Sequence, residues 1–267
     1  MTGSIAAGQI GLTCFALSSI FYLTGSARTR TWLKWNLVPF ILFVLATVAV
    51  TMSMILGTST GRLGDYTGAL LTSVLGWLFI VAYVVFRIRP LGMLLTPLAT
   101  LILLIQSFAQ PSPPDIAGVS SLLATVHVAL AVLGQAFAIL SCAFSIFYLW
   151  QQQALKRKQL AGIPRQLPAL DRLDGWLISS LWIGFVLITL SLVTGAFLTQ
   201  KGGWPGASPV EAKVLWAITV WGWYLTILIL RNVFGRNGKR IAQFSLGGFL
   251  LLAGSFFGMI FVDGGVF

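Results

Sequence analysis

Long apolar runs broken by short polar stretches dominate this chain, and the runs have the length of membrane spans. They cover residues 5–25, 36–56, 67–86, 90–108, 119–150, 173–199, 209–230 and 241–262. Each meets or approaches the ~20 residues that a helix needs to cross a ~30 Å hydrocarbon layer. The pattern predicts an all-α polytopic membrane protein with eight transmembrane helices. Helix five, residues 119–150, would be about 48 Å long at 1.5 Å per residue, so it must tilt or project beyond the bilayer. Ala124, His127, Ala131, Gly134, Ala138, Ser141 and Ser145 recur along it at three- and four-residue spacing. That small-residue face is suited to close helix contact. Pro97 is expected to kink helix four, and the loop Gln110-Pro-Ser-Pro-Pro-Asp115 to stop it.

Composition sharpens this picture. Hydrophobic residues make up 57% of the 267 positions and charged residues 9%, against about 25% charged in a soluble domain. A single membrane domain, 1–267, is the expected organisation, with residues 1–118 as divergent N-terminal helices and 119–267 as the more distinctive part. The stretch from Gln151 to Arg172, basic and holding Pro164 and Pro168, is the longest connection between helices. Met1–Ile5 lacks a basic n-region, so the first apolar run reads as a retained helix and not as a signal peptide. No internal repeat is evident.

The net charge of +11 raises the question of nucleic acid, and its distribution answers it. Of 17 basic residues, 14 fall in odd-numbered loops: Arg28, Arg30 and Lys34; Arg87 and Arg89; Lys156, Arg157, Lys158, Arg165 and Arg172; Arg231, Arg236, Lys239 and Arg240. Arg62, Lys201 and Lys213 are on the other side. The positive-inside rule then places the odd loops in the cytoplasm and both termini outside, N-out/C-out. The basic charge is a topology signal, with anionic-lipid contact at residues 156–172, and the expected partner is the lipid bilayer and no nucleic acid.

Ionisable groups at membrane depth are the candidates for chemistry, and they are few. His127 is the only histidine. Its neutral imidazole can ligate haem iron or another metal, or simply hydrogen-bond a neighbouring helix. A protein-built metal site needs several ligands, whereas a porphyrin fills four positions itself and needs one axial ligand. After helix six, Ser208-Pro209-x-Glu211 is a helix start with its own structural explanation. Trp204 suits an interfacial aromatic belt. An outer-facing tryptophan such as Trp204, together with His127 and the flanking Lys213, also makes a candidate porphyrin platform, with an aromatic face for the ring and an ammonium for a propionate. Asp171 and Asp174 fit the start of helix six by helix-dipole and charge-balance arguments. Cys14 and Cys142 lack C-x-x-C pairing and read as small packing residues. No Walker loop, G-x-S-x-G, H-E-x-x-H or paired carboxylates occur within these helices, so no catalytic residue is assigned and enzyme activity is not expected.

The second half resembles the cytochrome c assembly superfamily of membrane proteins, the CcsA/CcmC/HemX group. The resemblance rests on Val126-His127-Val128-Ala129-Leu130, Phe147-Tyr148-Leu149-Trp150-Gln151 and Leu170-Asp171-Arg172-Leu173. It continues through Gly184 to Leu190, Thr194-Gly195-Ala196 and Glu211 to Trp221, with Arg231 at the helix end. Eight helices match the smaller HemX-like and YpjD-like branches. The resemblance implies haem handling in c-type cytochrome biogenesis at the bacterial inner membrane, with haem as cofactor and a cytochrome c synthase or other membrane protein as partner. By position, His127 matches the first outer histidine, and Trp204 through Trp216 takes the place of a tryptophan-rich outer motif resembling W-G-x-x-W-x-W-D-x-K-E. The W-x-W-D core of that motif is missing here. Residues 262–267 supply no second outer histidine, so bis-histidine ligation within one chain is impossible. A ligand-free assembly subunit and a small-solute transporter are the alternatives. The transporter would have to rely on the modest polar groups Gln106, Gln135, Thr189 and Thr194.

Overall fold

The computed structural model describes residues 2–27, 37–58, 67–85, 90–108, 122–158, 167–202, 209–233, 235 and 238–263. Among them every regular element is a helix: α1 (Thr2–Ala27), α2 (Leu37–Thr58), α3 (Thr67–Val85), α4 (Leu91–Phe108), α5 (Leu122–Lys156), α6 (Leu170–Gly202), α7 (Pro209–Asn232) and α8 (Gly238–Asp263). Their positions follow the eight apolar runs, with ends displaced by a few residues. Five are long and apolar enough to cross a membrane: α1, α2, α5, α6 and α7. With 35 residues, α5 extends about 52 Å. It ends as Lys158 takes a left-handed backbone, φ 55°, a common way for a helix to stop. Pro97 lies inside α4, and α7 begins at Pro209, the first helical position expected from the sequence.

The side chains show what solvent this fold requires. Large apolar residues face outward along whole helices, as Ile41, Leu45, Val48, Met52 and Ile55 do on α2. Small hydroxyls are completely buried instead, among them Ser18, Thr47, Thr72, Thr96, Ser141, Ser145 and Ser245. A water-soluble protein rarely exposes apolar surface so continuously. In lipid, burial of apolar surface drives no helix association, so small residues and interhelical hydrogen bonds do that work. The chain is a membrane protein on this ground.

The chain divides into two compact units, Met1–Phe108 with Gln151–Pro168, and Ala109–Trp150 with Ala169–Phe267. In the first, α1 meets α2 where Gly11 faces Val50 and Ser18 Oγ donates to the Pro39 carbonyl at 2.8 Å. Ser19 and Thr100 join α1 to α4 at 3.2 Å. An aromatic core fills the unit, with Phe79 edge-on to Phe43 at 4.6 Å and to Tyr22 at 6.5 Å. Phe40 stacks on Tyr83 at 3.8 Å.

The second unit is an antiparallel set of four helices, α5 up to Trp150 with α6, α7 and α8. Its α5–α6 seam brings two glycines together: a Cβ on Gly184 would stand 3.4 Å from the Gly134 carbonyl oxygen. Further along the same small-residue face, Ser141 Oγ meets Ser245 Oγ of α8 at 3.1 Å. The face read from the sequence therefore serves two neighbours in succession, α6 and then α8.

Candidate functional site

His127 lies in the second turn of α5, half-buried against α6. Its Nδ1 is 2.8 Å from the Ser191 carbonyl oxygen and 3.3 Å from both Ser191 Oγ and Thr194 Oγ1. Ser191 Oγ in turn donates to the His127 carbonyl at 3.4 Å. Gly195, one helical turn beyond Ser191, lies against the ring: a Cβ there would come within 2.8 Å of His127 Cε1. Nε2 has no hydrogen-bond partner among the described residues. The imidazole is thus held from one side by a neighbouring helix.

The helix register fixes what else lies at this depth. Between α6 and α7, Trp221 Nε1 donates to Thr189 Oγ1 at 2.9 Å, with Trp221 stacked on Phe185, and Arg231 pairs with Asp174. Trp216 is part-exposed, and its Nε1 donates to the Leu251 carbonyl of α8 at 3.1 Å. Trp223 Nε1 repeats this contact at the Phe244 carbonyl, 3.0 Å. So α7 spends its indole N–H groups on both neighbours, and Trp216 keeps only its ring face for anything else.

Of the four candidate binding residues, the structure describes the side chains of His127, which packs against α6, and Trp216, which packs against α8. Trp204 lies outside the described residues; Lys213, like Glu211, has its backbone in α7, and its side chain lies outside them. The side chains of Gln106 and Asp263 also lie outside them. Thr189 and Thr194 are interhelical hydrogen-bond partners, to Trp221 and His127. Among the described residues no three His, Cys, Asp or Glu side chains converge as a metal site. The single imidazole suits a group that brings most of its own ligands.

Sequence reasoning missed two arrangements. Ser191 and Gly195 gave no sign of touching His127, because a backbone carbonyl and an absent Cβ have no sequence signature. Asp174 was explained by the start of its own helix, whereas its Oδ2 pairs with Arg231 at the end of α7. Its Oδ1 is buried without a hydrogen-bond partner, near Tyr148 Oη and facing Gly238 at the start of α8. Aspartate near one helix start and arginine at the next helix's end was the available signal, since a short connection makes those helices antiparallel neighbours.

Comparison with known proteins identifies the family. The sequence profile described as Cytochrome C assembly protein matches residues 4–266, so it extends through the N-terminal half as well. The chain is 26% identical over 231 residues to the cytochrome c biogenesis protein CcsA of Heterosigma akashiwo, covering 71% of this chain and 70% of that one. It is 30% identical over 189 residues to the protein HemX of Brevibacillus brevis, 69% and 68% of the two chains. Similarity to the inner membrane protein YpjD of Escherichia coli is 28% over 133 residues, about half of each chain. No solved structure matches. With an all-helical fold, lipid-facing apolar surfaces and a profile match over nearly its whole length, the chain belongs to the cytochrome C assembly protein family.

Proposed function

We propose that this chain is a non-enzymatic haem-handling protein of c-type cytochrome biogenesis in the bacterial inner membrane. In this reading it is one membrane domain with eight spans, both termini on the non-cytoplasmic side, and it binds haem at the outer face. The observation that carries the reading is His127, the chain's only histidine. One of its ring nitrogens is held by α6 and the other has no partner among the described residues. A metal-ligating histidine has this form: one ring N–H given to a carbonyl or carboxylate, the other nitrogen presented to the metal. Family membership and the names of the relatives support the same reading.

In it, His127 supplies the axial ligand through its unpartnered nitrogen. Trp204 and Trp216 offer aromatic faces to the macrocycle, and Lys213 meets a propionate. Bound haem would supply an iron whose four equatorial positions are already filled. The protein's part is to position the imidazole, keep the ring in a defined place and hand it to a partner such as a cytochrome c synthase. No bond in the haem needs to be made or broken by this chain.

Ferric haem titrated into the detergent-solubilised protein tests this, wild type beside His127→Ala. A saturable Soret shift in the wild type, lost in the variant, is expected. Haem binding that persists unchanged in His127→Ala would refute the site. A featureless titration in both would favour a ligand-free assembly subunit, whose partner packing would use the small-residue faces.

A further inference from the structure

The arrangement around His127 determines more than its position. The Ser191 carbonyl, 2.8 Å from Nδ1, can only accept a hydrogen bond. The two hydroxyls could act either way, but each has a carbonyl to receive its proton. Thr194 Oγ1 lies 3.0 Å from the Leu190 oxygen and 2.9 Å from the Ser191 oxygen, and Ser191 Oγ lies 3.4 Å from the His127 oxygen. With those protons so placed, three oxygens turn lone pairs toward Nδ1. An unprotonated Nδ1 would face them with a lone pair of its own. A ring turned over would put a C–H there and lose the acceptors.

Gly195 completes the arrangement. Ser191, Thr194 and Gly195 stand at i, i+3 and i+4, one face of α6. At Gly195 any Cβ would fall 2.8 Å from Cε1 and 3.2 Å from Nδ1, closer than the 3.5–4.0 Å of an ordinary carbon contact. Only glycine leaves room for the imidazole to lie this close to the helix while its Nδ1 reaches the Ser191 carbonyl.

We propose that Ser191, Thr194 and Gly195 form a positioning seat for His127 that holds the proton on Nδ1 and makes Nε2 the sole ligating atom for a metalloporphyrin. The assignment of ligand class rests on the haem-handling reading above; the seat itself does not. These are positioning residues, acting on the ligand only through the imidazole. A hydrogen bond from Nδ1 to a carbonyl also raises the basicity of Nε2, so the seat strengthens the ligand that it orients.

A single histidine makes the test direct. The full-length protein, solubilised in detergent and labelled with nitrogen-15 at histidine, gives one pair of ring nitrogen signals at a pH where the ring is neutral. Long-range proton–nitrogen correlations show which nitrogen carries the proton. The expected result is the Nδ1–H tautomer in excess by about tenfold, the order set by one net hydrogen bond. Thr194→Ser should retain it, and Gly195→Ala should reduce it several-fold. A dominant Nε2–H tautomer in the wild type would overturn the seat, as would an unchanged preference in Gly195→Ala. The wild-type spectrum decides the tautomer even where the alanine variant misfolds. Zinc protoporphyrin, a diamagnetic probe, is then added to the same sample. Movement of the Nε2 signal with Nδ1 still protonated supports both seat and ligand; coordination through Nδ1 overturns the seat. A confirmed tautomer with neither nitrogen responding leaves the seat standing and removes the haem reading.

Discussion

Alanine at Gly134 and at Gly184 should have different costs, although the two glycines face each other across the same helix seam. A Cβ on Gly134 would lie 2.7 Å from Ile188 Cγ1 and 3.1 Å from the Ile188 backbone nitrogen. The side-chain clash is relieved only by moving a β-branched residue in a helix, where χ1 has essentially one well, at about 0.5–1.5 kcal/mol. The backbone nitrogen can be relieved only by parting the helices, and overpacking of this kind costs about 1–3 kcal/mol. Alanine regains about 1 kcal/mol of helix propensity, so Gly134→Ala should lose about 0.5–3.5 kcal/mol net, with about 2 kcal/mol as the central value. A Cβ on Gly184 meets nothing nearer than 3.3 Å, the Phe137 Cβ. That strain is a few tenths of an ångström and is roughly cancelled by the same ~1 kcal/mol gain. Reversible unfolding in mixed detergent, followed by tryptophan fluorescence, measures both. A gap of at least ~1 kcal/mol with Gly134→Ala the weaker protein is expected. Equal stabilities, or a Gly134→Ala protein more stable than wild type, would refute the close seam.

Asp174→Asn and Arg231→Gln should each destabilise by about 1–3 kcal/mol, because each removes one side of a partly buried ion pair. Their double-mutant cycle should show a coupling of at least ~1 kcal/mol; an additive cycle would mean that the pair holds nothing. Trp221→Phe and Thr189→Val should couple more weakly, by about 0.6 kcal/mol, the usual value for an interhelical hydrogen bond in lipid. A Trp221→Phe protein unfolding like wild type would contradict the Trp221–Thr189 contact. Alkaline phosphatase fused after Phe267 should be active and green fluorescent protein there dark in a bacterial host, as N-out/C-out topology requires. The opposite pair of signals would invert the whole orientation.

Much of this fold could be read from hydropathy alone, for a physical reason. Each helix must close its backbone hydrogen bonds within itself in lipid, so spans announce themselves as unbroken apolar runs, and α7 even begins at the expected Pro209. The facing of the helices was harder. A helix apolar on every side has no polar stripe to mark its outer face; only small residues mark a seam, which is why the α5 face carrying Gly134 and Ser141 was legible. The site was half legible. His127 stood out as the chain's single histidine, Trp216 as an aromatic near the outer end of its helix, and Thr194 as a polar group. What joins His127 to α6 is a backbone oxygen and a missing methyl, at Ser191 and Gly195. Asp174 and Arg231 were each explained by local charge, and only the antiparallel register of α6 and α7 shows that they meet.

Haem held through the His127 imidazole is the central claim. Protein purified from haem-replete cells, compared as wild type and His127→Gly, measures it by its Soret band, with free imidazole then added to the glycine variant. A Soret band is expected in the wild type, lost in His127→Gly and restored by haem with imidazole as the small ligand enters the space left by the side chain. A folded His127→Gly protein that keeps a wild-type Soret band without imidazole would contradict it.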